Sequence, residues 1–140
     1  MINYIILIII LLFFDFVTKL FFKGKHILLF KYLSVNYVEN TGALFGIFKD
    51  NNLLFIILTL ILILVIFYFF SKYDDMRFGL SLISAGAMGN LIDRISYGYV
   101  VDFIDLMIWP VFNLADLFIT LGVMLLIYKE INGIYIEKLF

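Results

Sequence analysis

Four long apolar stretches dominate the hydropathy pattern of this chain, at about residues 2–22, 53–70, 78–95 and 111–128. A helix needs about 20 apolar residues to cross a hydrocarbon core of roughly 30 Å, and each stretch approaches that length. The first is interrupted by Asp15 and Lys19, the second carries no charge, the third follows Arg77, and the fourth has Asp116 near its start. Residues 23–52 form a mixed loop in which Ser34-Val35-Asn36-Tyr37-Val38 alternates as a strand does, before Asn40-Thr41-Gly42 turns the chain. The pattern predicts an all-α membrane protein, one integral membrane domain over residues 1–140 with four transmembrane helices and a small extramembrane β element. A cleaved signal peptide is the other reading of the first stretch. With no basic leader, no small-x-small cleavage site, and Asp15 and Lys19 inside its apolar run, it is expected to be a retained span.

Composition narrows the chemistry. Hydrophobic residues make up 65% of the chain and charged ones 15%, and the formal net charge of -1 offers no basic surface to nucleic acid. There is no cysteine for a disulfide, thiolate nucleophile or thiolate metal site, and the single His26 makes a histidine-built zinc centre a poor fit. Hydrolytic chemistry in such a chain rests on carboxylates, and neither metal nor cofactor is expected. Charge does not orient the spans: Lys23, Lys25, Lys31 and Lys49 in the first loop balance Lys72, Arg77, Lys129 and Lys138 on the other side.

The polar residues within the apolar stretches fall on shared faces. Asn90, Asp93 and Arg94 stand at i, i+3 and i+4, although an adjacent acid and base can also simply neutralise each other at a helix end. Asp15 and Lys19 are four apart and suited to a structural pair that braces a site. Asn113, Asp116 and Thr120 share a face, with Asp116 in the favourable first turn of a helix and Asn113 placed either to serve the site or to cap that helix. Small residues (Gly79, Ser81, Ser84, Ala85, Gly86, Ala87, Gly89) line the third span, and Ala85-x-x-x-Gly89 is a spacing that lets another helix approach. Asp102 lies among Val100, Val101, Phe103 and Ile104, just before Trp109-Pro110, while Asp105 is expected to face water. An ionisable group costs roughly 2.5–3.5 kcal/mol at a bilayer centre, so Asp102 and Asp116 point to function. Brought close, two carboxylates share a proton: one activates water and the other protonates a carbonyl, with no metal required. The helix dipole favours Asp116 as the more acidic member and Asp102 as the proton donor.

Five motifs in order, Asp15-Phe16-Val17-Thr18-Lys19, Asn40-Thr41-Gly42-Ala43-Leu44-Phe45-Gly46, Gly89-Asn90-Leu91-Ile92-Asp93-Arg94, Val100-Val101-Asp102-Phe103 and Phe112-Asn113-Leu114-Ala115-Asp116, give the chain its resemblance. It resembles the lipoprotein signal peptidases, the aspartic peptidases of the bacterial membrane also called signal peptidase II. The resemblance implies four transmembrane helices with cytoplasmic termini and an extracytoplasmic β-sheet cradle. It also implies a multi-pass protein of the bacterial cytoplasmic (inner) membrane with its site near the outer face. The implied partners are membrane lipid and a prolipoprotein substrate cut before its diacylglyceryl cysteine, and a monomer is expected. The catalytic pair implied is Asp102 and Asp116. Asn40, Gly42, Asn90, Arg94 and Asn113 match positions that hold substrate or support the pair, and Asp15, Lys19 and Asp93 match structural polar positions. Only 13 residues separate Asp102 from Asp116, so the outer loop carrying Trp109 is expected to be short. Phe45 and the Gly42 to Gly46 turn are expected to gate the site.

Three other classes compete on the residues alone. A small proton-coupled transporter would use the two acids for proton uptake and release, but would place them at the midplane. A scaffold subunit would leave the Asn-Asp clusters unexplained. A metal-dependent lipid phosphotransferase lacks a convincing Mg2+-ligand spacing.

Overall fold

The computed structural model describes residues 1–42 and 50–137. Its elements are α1 (Ile2–Phe22), β1 (His26–Phe30), β2 (Leu33–Asn40), α2 (Asn52–Lys72), α3 (Arg77–Tyr97), β3 (Val100–Asp105) and α4 (Leu114–Glu137). The protein is therefore mostly helical with a small sheet. The gating expectation on Phe45 and the turn through Gly46 lies outside the described residues.

Burial is inverted relative to a protein in water. The buried residues of α1 are its two charged ones, Asp15 and Lys19, and that of α2 is Ile66 alone. Ile5, Ile9, Phe13 and Phe16 on α1 and Leu58, Ile61, Leu64 and Phe67 on α2 are all exposed. Leaving one large apolar side chain in water costs about 1.5–3 kcal/mol. Eight of them amount to about 12–24 kcal/mol, as much as or more than the roughly 5–15 kcal/mol that holds an ordinary domain folded. The solvent of these faces is lipid, and α1 and α2 are both long and apolar enough to cross it.

Helix α3 is the axis of the bundle, packed against α1, α2 and α4. Small residues allow this. A Cβ on Gly86 would collide with the Ala115 carbonyl oxygen and lie 2.7 Å from Ile119, and one on Gly122 of α4 would lie 2.6 Å from the Gly79 carbonyl oxygen. The interlock thus runs through Gly79 and Gly86 against α4. Gly89 serves a different neighbour, since its Cβ would sit 2.5 Å from a carboxylate oxygen of Asp15 on α1. The Ala85-x-x-x-Gly89 spacing therefore does not mark a single helix contact.

Helix α3 ends at Gly98, whose φ of 83° is the left-handed conformation that reverses the chain and lets its N–H cap the Arg94 carbonyl at 3.1 Å. The reversal launches β3, a strand the hydropathy pattern did not reveal because Val100 to Phe103 are buried on both faces and do not alternate. The sheet is antiparallel in the order β1-β2-β3. Phe103 stacks on Phe22 at 4.9 Å, fixing the sheet to the end of α1. On the other face, Asn40 stands opposite Val100, and Val38 opposite Asp102. Phe112 then pairs with Ile104, its carbonyl accepting from Ile104 N–H at 2.8 Å. That pairing delays the fourth helix to Leu114, three residues later than the hydropathy suggests, and the helix continues to Glu137.

Candidate active site

Asp102 and Asp116 reach the same place from different elements, β3 and the first turn of α4, and both line one cleft of about 540 Å3. Its polar end also holds Asn40, Gly42, Asn90 and Arg94, and its walls are apolar, among them Phe55 of α2, Trp109, and Leu117 and Ile119 of α4.

Three asparagine amides point donors at the two carboxylates. Asn40 Nδ2 donates to Asp102 Oδ2 at 2.8 Å, Asn113 Nδ2 to Asp102 Oδ1 at 2.7 Å, and Asn90 Nδ2 to Asp116 Oδ1 at 2.8 Å. Each amide is held by its other end. Asn40 Oδ1 accepts from Gly42 N–H at 3.0 Å, and Asn113 Oδ1 from Asp116 N–H at 2.9 Å. Asn90 Oδ1 accepts from Lys19 Nζ at 3.1 Å and from Asn113 Nδ2 at 3.1 Å. Asn113 uses both ends, because its oxygen caps α4 while its nitrogen donates to Asp102. Asp116 completes a reciprocal capping box, accepting the Asn113 N–H at 3.2 Å.

Burial sets the electrostatics of Asp102, which is 2% exposed. Desolvation, then the Asp116 charge, pushes its carboxyl up from the ordinary 3.8 to about 7, against hydrogen bonds from Asn40 and Asn113 and the charge of Lys19. A carboxyl so placed carries a proton into the neutral range, as general acid catalysis requires.

Behind the carboxylates lies a buried ionic cluster. Lys19 Nζ contacts Asp15 Oδ2 at 2.8 Å and Asp93 Oδ2 at 2.9 Å. Asp93 therefore does not neutralise its neighbour Arg94. Residues adjacent on a helix point about 100° apart, and Asp93 faces α1 while Arg94 faces the loop. Arg94 Nη2 donates to the Gly42 carbonyl at 3.0 Å and its guanidinium lies over the Phe55 ring at 4.8 Å. Asp105, expected to face water, is half-buried and shapes the turn, accepting from Asn36 Nδ2 at 3.2 Å and Met107 N–H at 2.7 Å. Thr120 bonds back to the Asp116 carbonyl at 2.8 Å and lines the cleft one turn beyond it. Sequence reasoning did not find Phe55, Leu117 or Ile119 as cleft walls, since nothing in a uniformly apolar run marks which residue faces a cavity. Among the described residues, no three His, Cys, Asp or Glu side chains converge as a metal-ion donor set.

Comparison with known proteins identifies the family. The model of the signal peptidase (SPase) II family matches residues 7–132. A lipoprotein signal peptidase of Clostridium tetani is 44% identical over 138 residues, covering 88% of each chain. One of Thermodesulfovibrio yellowstonii is 44% identical over 109 residues, covering 74% of each. A solved bacterial membrane enzyme superposes with a TM-score of 0.87 at 35% identity, covering 93% of this chain and 88% of the other. With the family model spanning nearly the whole chain, this chain belongs to the signal peptidase II family.

Proposed function

We propose that Asp102 and Asp116 are the catalytic pair with which this signal peptidase removes the signal peptide of a prolipoprotein, cutting immediately before a cysteine that bears a diacylglyceryl group. One observation carries the assignment: three oriented amides converge on two carboxylates at the polar end of an otherwise apolar cleft.

In the mechanism, Asp102 enters protonated and donates to the scissile carbonyl oxygen, while ionised Asp116 takes a proton from water as the water attacks the carbonyl carbon. The tetrahedral intermediate collapses when Asp116 gives its proton to the leaving nitrogen and Asp102 recovers one from the hydroxyl that becomes the new carbonyl. No covalent intermediate or metal is required. Asn40, Asn90 and Asn113 hold the carboxylates, and Arg94 braces the Gly42 turn beside the substrate path.

All four helices cross the bacterial cytoplasmic membrane in this reading, with the sheet and the catalytic pair near the outer face. The sheet supports it by collecting at one end of the bundle: β1 follows the C-terminal end of α1, and β3 that of α3. The cleft supports lateral entry of a lipidated substrate, because Phe55 of α2 and Leu117 and Ile119 of α4 give it apolar walls. Each buried acyl methylene contributes about 0.8 kcal/mol, so the lipid dominates recognition. The protein acts as a monomer in this account. A proton-coupled carrier has no support from the comparisons.

Cleavage of a diacylglyceryl-modified precursor and its unmodified counterpart, followed by mass spectrometry of the products, tests the substrate. The modified precursor is expected to be cut at the bond before its cysteine and the unmodified one to remain largely intact. Equal rates for both would contradict lipid-directed recognition.

A further inference from the structure

Of the three amides that hold the carboxylates, Asn40 and Asn113 have their oxygens fixed by backbone N–H groups, whereas the Asn90 oxygen is fixed from side chains alone. Its charged donor is Lys19, 4% exposed in the last turn of α1. An ammonium has three donors, and Lys19 spends them on Asp15 Oδ2, Asp93 Oδ2 and Asn90 Oδ1 at 2.8, 2.9 and 3.1 Å. The two carboxylates that pin it are themselves tied to backbone. Asp15 Oδ1 accepts from Ala115 N–H at 2.9 Å, one residue before Asp116. Asp93 Oδ2 accepts from Val101 N–H at 3.1 Å, one residue before Asp102.

We infer that Lys19 is the positioning residue of the catalytic site: it selects the orientation of the Asn90 amide that presents Nδ2 to Asp116, and it joins the carboxylates that anchor the backbone behind both catalytic aspartates. Turning the Asn90 amide over would set Nδ2 against the Lys19 ammonium and Oδ1 against the Asp116 carboxylate, two repulsive contacts in a low-dielectric setting. Gly89 is part of the arrangement, since any Cβ there would press on Asp15 Oδ2. This inference rests on the catalytic assignment of Asp102 and Asp116. It also gives Lys19 a part in turnover, where sequence reasoning placed it in a structural pair with Asp15 that braces the site.

Removing Lys19 alone would strand two buried carboxylates, so the test neutralises the cluster. In the triple variant Lys19→Met, Asp15→Asn, Asp93→Asn, asparagine oxygens can still accept the Ala115 and Val101 N–H groups. The charged lock on Asn90 is gone. Steady-state cleavage of a diacylglyceryl-modified precursor is expected to show kcat lower by about 10- to 100-fold, the size expected from losing a buried hydrogen bond to a charged group, with KM nearly unchanged. Asn90→Ala should then cost much less in the triple variant than in the wild type, because both changes break one link. A folded triple variant with wild-type kcat, or with only KM altered, would overturn the inference. Should that variant not fold, side-chain amide hydrogen exchange of the wild type in micelles decides. Strong protection of the Asn90 NH2 supports the lock, and exchange as fast as that of an exposed asparagine overturns it. Asp102→Asn serves as control: if it cleaves, the catalytic assignment has failed, not the role of Lys19.

Discussion

Replacing Asp102 with asparagine is expected to abolish cleavage and yet stabilise the protein above neutral pH. The carboxyl is buried and its protonation is held from the ordinary 3.8 up to about 7, by desolvation first and the Asp116 charge second. Between these values the unfolded chain releases a proton that the folded chain keeps, so the stabilising contribution of the neutral acid is complete below about pH 4 and lost as pH rises through about 7. At about 1.36 kcal/mol per pH unit, roughly three units correspond to about 4 kcal/mol by pH 8. An asparagine does not titrate, but its NH2 must face one of the two amide donors that Asp102 accepts, which costs about 1–3 kcal/mol, so Asp102→Asn should lie below the wild type in acid and exceed it in base. The assay is thermal unfolding in detergent at pH 4.5 and pH 8, with cleavage followed in parallel. Wild-type kcat should decline as pH rises past about 7. An Asp102→Asn variant no more stable than wild type at pH 8 would refute the reasoning, because the buried charge would then cost the fold nothing.

Other substitutions probe the same framework. Asp116→Asn removes the second-largest cause of the raised Asp102 value, so the fall in stability that the wild type shows between about pH 4 and about pH 7 should end at lower pH and be smaller when unfolding is followed across the same range. Asn113→Ala removes a helix cap worth about 1 kcal/mol together with a donor to Asp102, and should lower both the melting temperature and kcat, whereas a loss confined to stability would mean that Asn113 only caps α4. Gly86→Ala drives a Cβ into the Ala115 carbonyl oxygen at the start of α4, and overpacking of this kind costs about 1–3 kcal/mol. Its melting temperature should fall, and kcat with it, since Asp116 is the next residue.

The two carboxylates proposed as the catalytic pair were legible because each contradicts its surroundings. Asp102 among valines and Asp116 at the mouth of an apolar helix have no reason to be there except chemistry or a partner. Partner choice was less legible. Asp93 and Arg94 are neighbours in sequence, but helical geometry sends one to Lys19 on α1 and the other to Gly42, 52 residues away. The strand β3 escaped notice because a strand buried on both faces has no alternation to detect. Asn113 was read as either a cap or a site residue, although an amide has two ends and here uses both. The cleft walls follow from helix rotation within the bundle, which an almost uniformly apolar sequence such as that of α2 does not encode in its pattern.

The most direct test of the central claim is a gel-shift cleavage assay of a diacylglyceryl-modified prolipoprotein with wild type, Asp102→Asn and Asp116→Asn, each with and without a chelator. Wild type is expected to cleave in both conditions while both folded variants stay inactive. Cleavage by either variant, or loss of wild-type activity on chelation, would contradict a metal-free pair of aspartates.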